Sequence, residues 1–96
     1  MYELIEYELY KKKRKYVEKL GQLGRLDKTI YNIRQENYGG SFSDHPLQKT
    51  SKAKSGLDKL RECHVTGEIL LIYRKINNKI ELIDICKNHK DLDKRY

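Results

Sequence analysis

Histidines are the residues of this chain best suited to acid–base chemistry, and all three lie in its second half, at positions 45, 64 and 89. A carboxylate, Glu68, follows His64 by four residues, and a Lys-rich segment separates His45 from His64. An imidazole exchanges protons near neutral pH and serves as acid or base, while Lys and Arg stabilise negative charge. These groups are what metal-free RNA cleavage requires: a base for the 2′-hydroxyl, an acid for the leaving 5′-oxygen, and cations around the phosphorane.

Each histidine also has a simpler interpretation. On that interpretation His64 is an ordinary strand residue, His45 is a loop residue that fixes a turn before Pro46, and His89 is a solvent-exposed residue between Lys87 and Lys90. The spacings between the histidines match no recognised zinc-ligand pattern, so we expect no metal and no cofactor.

Charge is the second chemical signal. The chain carries 21 Lys plus Arg against 14 Asp plus Glu, for a net charge of +7. The excess lies in two blocks, residues 11–20 and residues 46–61, while the first ten residues are acidic. Two basic blocks indicate a polyanionic partner, either nucleic acid or an acidic protein, or else two solvated surfaces that maintain solubility.

Length and composition limit the class of protein. Ninety-six residues predict a single domain over 1–96 and exclude a two-domain enzyme with a nucleotide-binding half. The longest apolar run, Ile69–Tyr73, is too short to span a bilayer, and the N-terminus lacks the order of a signal peptide. Two cysteines cannot build a disulfide framework. We expect a soluble, cytoplasmic protein.

The apolar pattern of the first half predicts one strand and two helices. Residues 2–7 predict a short strand. A helical face follows, which stops at Gly21 or Gly24; it consists of Leu9, Tyr16, Val17, Leu20 and Leu23. A second helix is predicted from about Leu26 to Asn37, with Asp27 in its first turn and Gly39-Gly40 at its end. Residues 39–59 predict a long loop.

The second half predicts an antiparallel meander of residues 60–66, 69–76 and 79–86, followed by a short tail that can be helical. Its turns are Thr66-Gly67 and Asn77-Asn78. If both turns contain two residues, Arg74 lies opposite Glu81, Leu71 opposite Asp84, and Ile69 opposite both His64 and Cys86.

That register assigns the residues of the meander to two faces of the sheet. One face is apolar and suited to the helices: Cys63, Leu70, Ile72, Ile83 and Ile85. The other face is mixed: His64, Ile69, Leu71, Tyr73, Leu82, Asp84 and Cys86. On this assignment the two cysteines do not pair, and Glu68 faces away from His64 unless the first turn is wider. The mixed face is the candidate site, and His89 emerges near it.

Several short motifs occur in one order along the second half: Asp44-His45-Pro46-Leu47, then Glu62-Cys63-His64-Val65, Glu68, Leu70-Leu71-Ile72-Tyr73-Arg74, and His89 before Leu92. In this order they resemble the YafQ branch of the RelE/ParE toxin superfamily. The resemblance implies the RelE-like microbial RNase fold, an α+β domain with two N-terminal helices on a small antiparallel sheet of three to four strands.

The resemblance also implies a function. Such toxins are ribosome-dependent endoribonucleases of type II toxin–antitoxin systems, which cleave mRNA in the ribosomal A site and are held inactive by an antitoxin in a hetero-oligomer. The functional set of that branch matches His45, His64, Glu68 and His89. It implies Glu68 or His64 as base, His89 as acid and His45 as phosphate contact, with the roles open to exchange.

The basic residues expected to contact RNA are six: Lys49, Lys52, Lys54, Arg61, Arg74 and Lys87. The chain departs from the branch at Ile69, Ile85 and Asp93, where family members carry Trp, Arg and an aromatic residue. Two alternatives therefore stay open. One is a ParE-like inhibitor of DNA gyrase, and the other is a decayed toxin that only binds RNA.

Overall fold

The structure is a computed structural model, and it describes residues 2–35, 45–46 and 60–95. Its elements are, in chain order, β1 (Glu3–Glu6), α1 (Glu8–Lys19), α2 (Leu23–Arg34), β2 (His45–Pro46), β3 (Arg61–His64), β4 (Leu70–Ile76), β5 (Lys79–Cys86) and α3 (His89–Arg95). Of the predicted long loop at 39–59, only residues 45–46 are described, and they form β2 instead of a loop. In the described part of the chain, no helix is long and apolar enough to cross a membrane.

Helix α1 packs on the sheet through a face that only partly matches the predicted one: Tyr16 and Val17 belong to it, as predicted, but Leu9 and Leu20 do not. Tyr10 and Val17 are fully buried, whereas Leu9 and Leu20 are 40% and 47% exposed. Gly21 ends the helix, as predicted, with a positive φ of 69°. Its N–H donates to the Glu18 carbonyl, and the Gln22 N–H donates to the Val17 carbonyl. This pair of bonds is the Schellman motif, which needs a left-handed residue after the helix.

Helix α2 begins at Leu23, three residues before the predicted start. Asp27 therefore lies beyond the first turn, and that prediction was wrong. The predicted buried stripe of Leu26, Ile30 and Ile33 is confirmed. The predicted end at Gly39-Gly40 lies outside the described residues.

The strands form one mixed sheet in the order β1-β5-β4-β3-β2. Four strands pair antiparallel as a meander, with β2 contributing only two residues. The first strand, however, pairs in parallel with β5, Leu4 lying opposite Ile80. The sheet has five strands and one parallel pair, so the expectation of an antiparallel sheet of three to four strands was wrong. Parallel neighbours need a long crossover, and α1 and α2 form part of the connection between β1 and β5.

The second hairpin has the predicted two-residue turn at Asn77-Asn78. Asn77 adopts a positive φ of 56°, as tight hairpin turns require. Arg74 lies opposite Glu81, also as predicted. A β-bulge then shifts the register by one residue between Tyr73 and Ile72. Tyr73 pairs with Leu82, whereas Ile72 pairs with Asp84. The predicted pairing of Asp84 with Leu71 was wrong because the extra residue cannot be read from turn length.

The first hairpin has a wider turn than predicted. The Val65 N–H donates to the Ile69 carbonyl at 2.8 Å, which leaves residues 66–68 in the turn. His64 consequently pairs with Leu70, and Leu70 with Cys86. The pairing of His64 and Cys86 with Ile69 was wrong by one residue.

The two faces of the sheet follow from these registers. The helix face packs on α1 and α2 and contains Cys63, Val65, Ile69, Leu71, Tyr73, Ile80, Leu82 and Ile85. The histidine face carries His64 and a second apolar cluster of Leu60, Leu70, Ile72, Ile83, Cys86 and Leu92. The predicted faces were wrong for most members, since a one-residue slip exchanges the two sides. The cysteines do lie on opposite faces, and they form no disulfide with each other.

Candidate functional site

His64 and His89 meet at the end of the sheet where β3 and β5 terminate. Their ring centroids are 5.5 Å apart and the rings are tilted by 49°. His64 is half-buried and His89 is exposed. The predicted proximity of these two residues is confirmed. An imidazole is a side chain that can accept or donate a proton, and two of them lie side by side here next to solvent.

Helix α3 places His89 beside His64. Leu92 is 4% exposed and packs in the same cluster as Leu70, which pairs with His64, and Cys86, which pairs with Leu70. Asn88 precedes the helix and accepts a hydrogen bond from the Asp91 N–H at its Oδ1 atom, at 2.9 Å. Asn88-His89-Lys90-Asp91 resembles a capping sequence, and this signal was missed in the sequence analysis.

Glu68 lies in the wider turn and is exposed. Thr66 Oγ1 accepts hydrogen bonds from the N–H groups of Glu68 and Ile69 and fixes that turn. A three-residue turn removes the objection that Glu68 must face away from His64. Its carboxylate nevertheless makes no hydrogen bond to either described histidine ring.

His45 belongs to β2, where its backbone pairs with Glu62 of β3. Glu62 precedes His64 by two residues, so the backbones of His45 and His64 lie on the order of 8 Å apart. The loop cations expected to contact RNA, Lys49, Lys52 and Lys54, lie outside the described residues.

Two buried carboxylates share the histidine face. Glu62 is 4% exposed and Asp84 is fully buried. Both lie opposite Ile72, one on each side of it. Asp84 Oδ1 accepts a hydrogen bond from the Ile85 N–H at 2.7 Å, next to the bulge. Glu62 was not predicted as a site residue, and only the register of β3 reveals its position.

Arg74 lies on the histidine face, four residues along β4 from Leu70. Its Nε and Nη2 atoms are both 2.7 Å from Glu81 Oε1, and its Nη2 donates to the Tyr7 hydroxyl at 3.4 Å. Burial lowers the pKa of Arg74, but the hydrogen bond and charge of Glu81 outweigh it, so the pKa is raised overall. This cation is thus already paired with a carboxylate.

The other basic residues expected to contact RNA lie elsewhere. Lys87 extends to the helix side, where its Nζ lies 5.1 Å from the centre of the Tyr16 ring. Arg61 pairs with Tyr73 and precedes Cys63 by two residues, which puts it on the helix face. Neither is placed beside the two histidine rings.

Two of the three positions at which the chain departs from the family pattern are buried on the helix face. Ile69 is 4% exposed and Ile85 is 1% exposed, and both pack in the cluster beneath the helices. A base cannot stack on Ile69, and no phosphate contact comes from position 85. The side chain of Asp93 lies outside the described part.

The basic block of α1 lies on the opposite side of the sheet from the histidines. Lys11, Lys12 and Lys15 are exposed. A cleft of about 430 Å³ opens beside this block and is lined by Glu6, Lys11, Arg14, Lys15 and Glu18. Among the described residues, no group of three or more His, Cys, Asp or Glu side chains is arranged to hold a metal ion.

The order of these strands and helices, with paired histidines at the end of the meander, can be compared with known proteins. A family model described as the bacterial toxin of type II toxin–antitoxin system, YafQ, matches residues 4–94. The chain belongs to the YafQ toxin family. It is therefore a type II toxin, and the resemblance found in its motifs is confirmed. Among curated proteins, none matches the chain.

Solved structures confirm the fold of this YafQ-family toxin. A metal-bound toxin from Helicobacter pylori is 29% identical with a TM-score of 0.77, over 96% of this chain and 99% of that one. The E. coli DinJ–YafQ complex is similar at 19% identity and a TM-score of 0.75, over 96% and 98%. A YoeB/ParE toxin from Agrobacterium tumefaciens follows at 15% and 0.65, over 86% and 94%. The predicted RelE-like α+β class is thereby confirmed.

Proposed function

We propose that this toxin is a ribosome-dependent endoribonuclease that cleaves mRNA in the ribosomal A site. The observation that carries the proposal is the 5.5 Å separation of the His64 and His89 rings at the solvent-accessible edge of the histidine face. A nuclease that works through proton transfer needs two such groups on either side of one phosphate.

The proposed reaction is an attack of the RNA on itself. The half-buried His64 accepts the proton of the 2′-hydroxyl, and the 2′-oxygen forms a bond to the adjacent phosphorus. The bond from phosphorus to the 5′-oxygen breaks, and the exposed His89 donates a proton to that oxygen. The products are a 2′,3′-cyclic phosphate and a 5′-hydroxyl end, and the proposed reaction uses no metal ion.

Glu68 and His45 have supporting roles in this proposal. Glu68 lies in the exposed turn that follows β3, within the same end of the sheet, and serves as an alternative base. His45, whose strand borders β3, contacts the phosphate. Lys49, Lys52 and Lys54 neutralise the RNA backbone.

The proposed partners follow from the same chemistry. The basic surfaces bind mRNA and ribosomal RNA, and binding weakens steeply as salt displaces those contacts. The YafQ of the E. coli complex is bound to DinJ, and we propose that a cognate antitoxin holds this toxin in a hetero-oligomer. The toxin acts in the cytoplasm, where the ribosomes are.

Primer extension on a translated message after induction tests the proposal. The expected result is a set of cuts in phase with the codons, present only within the translated frame and absent when translation is blocked. Induction of the His64→Ala variant is the matched control and leaves the message intact.

Two other results would contradict the proposal. An intact message accompanied by DNA damage would indicate a ParE-like gyrase inhibitor. An intact message with the folded protein still bound to RNA would indicate a decayed toxin.

A further inference from the structure

Helix α3 is too short to be stable alone, which makes the position of His89 dependent on local anchors. The helix has seven residues, and isolated helices of fewer than about 12 residues are marginal in water. His89 is its first residue and is exposed. Something other than core packing around the ring must therefore fix its position.

Two hydrogen bonds fix the start of α3, and one of them connects it to the end of β5. Asn88 Oδ1 accepts from the Asp91 N–H at 2.9 Å, and Asp91 Oδ2 accepts from the Lys87 N–H at 2.9 Å. The first bond caps the helix, and the second ties its first turn to the residue directly after β5. The segment that carries His89 is therefore held on both sides of the histidine by side-chain hydrogen bonds to the backbone.

We propose that Asn88 and Asp91 are positioning residues that hold His89 beside His64. Leu92 sets the depth of α3 on the histidine face through its apolar cluster. The capping pair sets the direction in which α3 leaves β5, and with it the separation of the two rings. Its effect on cleavage rests on the proposed ribonuclease function, whereas its effect on the ring separation does not.

The chemical identity of the cap provides the test. Asn88→Ala removes the side-chain acceptor, while Asn88→Ser keeps one, and Ser is about as good an N-cap as Asn. Asn78→Ala is the matched control, since Asn78 is an exposed Asn at the opposite end of β5. Asp91→Ala is the second variant, and Asp91→Asn is its conservative partner because it keeps a side-chain oxygen.

Two measurements are made on each variant of the full chain. The first is the intensity of the NOE between the ring protons of His64 and His89. The second is single-turnover cleavage of a ribosome-bound message, with the rate at saturation separated from the affinity for the ribosome.

We expect the inter-ring NOE to weaken severalfold in Asn88→Ala and Asp91→Ala. The saturated rate falls about tenfold to a hundredfold, since a displacement of about 1 Å has effects of that size, while ribosome affinity changes less than about twofold. Asn88→Ser and Asp91→Asn recover most of both signals, and Asn78→Ala matches the unmodified protein.

Other results overturn the proposal. An unchanged NOE in both alanine variants means that the capping pair does not position His89. A rate that falls equally in Asn88→Ala and Asn88→Ser means that the cap is not the cause. If the unmodified protein cuts no RNA but the NOE follows the expected pattern, the ribonuclease function fails and the positioning role stands.

Discussion

The two faces of the sheet are built from the same strands but bury different chemistry. On the helix face the buried strand residues are apolar, as at Leu71, Tyr73 and Leu82. The histidine face also buries apolar residues, yet it includes the carboxylates of Glu62 and Asp84. Burying polar groups is costly unless they are paired. Glu62 and Asp84 both have polar partners, so the histidine face combines apolar packing with buried polar interactions, whereas the helix face is stabilised mainly by apolar burial.

Loss of either paired histidine should have the largest effect. We expect His64→Ala and His89→Ala each to lower the rate of mRNA cleavage by about 10²–10⁴, because each removes one proton-transfer group. Thermal unfolding should change little, since His89 is exposed and His64 is half-buried. Single-turnover cleavage on programmed ribosomes measures the effect, with the exposed neighbour variant Lys90→Ala as control. Wild-type rates in either histidine variant would refute the assignment of chemistry to this face.

Truncation of a buried leucine on each face should separate stability from activity. Leu82 and Leu70 are both fully buried, the first on the helix face and the second beside His64. Each change to Ala should cost about 2–5 kcal/mol of unfolding free energy. Only Leu70→Ala should also lower cleavage per folded molecule, because Leu70 pairs with His64. Urea unfolding and cleavage at equal folded concentration check this, and equal activity in both variants would contradict it.

Tyr10 gives the helix face a pH dependence at high pH. Burial, followed by the charge of Glu6, raises its pKa from 10.0 to about 12, although Arg14 partly offsets this. The folded state therefore holds the phenol proton more tightly than the unfolded state. Stability from this group is complete below about pH 10 and is lost as the pH rises towards 12, by roughly 2–3 kcal/mol.

The Tyr10→Phe variant isolates that effect. Urea unfolding between pH 9 and about 12 should show a shallower loss of stability in Tyr10→Phe than in the unmodified protein. Tyr31→Phe, which removes a phenol that is 61% exposed, is the matched control. The same slope in all three proteins would show that burial of Tyr10 is not the cause.

The Arg74–Glu81 pair should have the smallest effect, on stability rather than on RNA binding. Its side chains are 11% and 17% exposed, and a charge-assisted hydrogen bond of this kind contributes about 1.5–3 kcal/mol. A double-mutant cycle with Arg74→Ala and Glu81→Ala should give a coupling near the low end of that range. Zero coupling, together with RNA affinity lost only in Arg74→Ala, would instead make Arg74 an RNA contact.

Much of the fold could be predicted because local signals agree with the tertiary structure. Gly21 ends α1 and Asn77-Asn78 closes the second hairpin, since Gly21 and Asn77 both adopt a left-handed backbone. The opposition of Arg74 and Glu81 follows from that turn. The parallel pairing of β1 with β5 could not be predicted, because it depends on contacts between residues more than 70 positions apart.

The sequence by itself determined most of the elements, the family and the set of chemically capable residues, because these depend on residue type, spacing and order. Only the tertiary structure decided which residues of β4 share the face of His64: Leu70 and Ile72 rather than the predicted Ile69 and Leu71. In a strand the side chains alternate between the two faces, so one extra residue moves every later residue of the strand to the other face. This chain has one extra residue in the turn after Val65 and another at the bulge opposite Ile72 and Tyr73. The meeting of His64 and His89 also required α3 to fold back on the sheet, and this is decided by the apolar contacts of Leu92 and not by the spacing of the histidines.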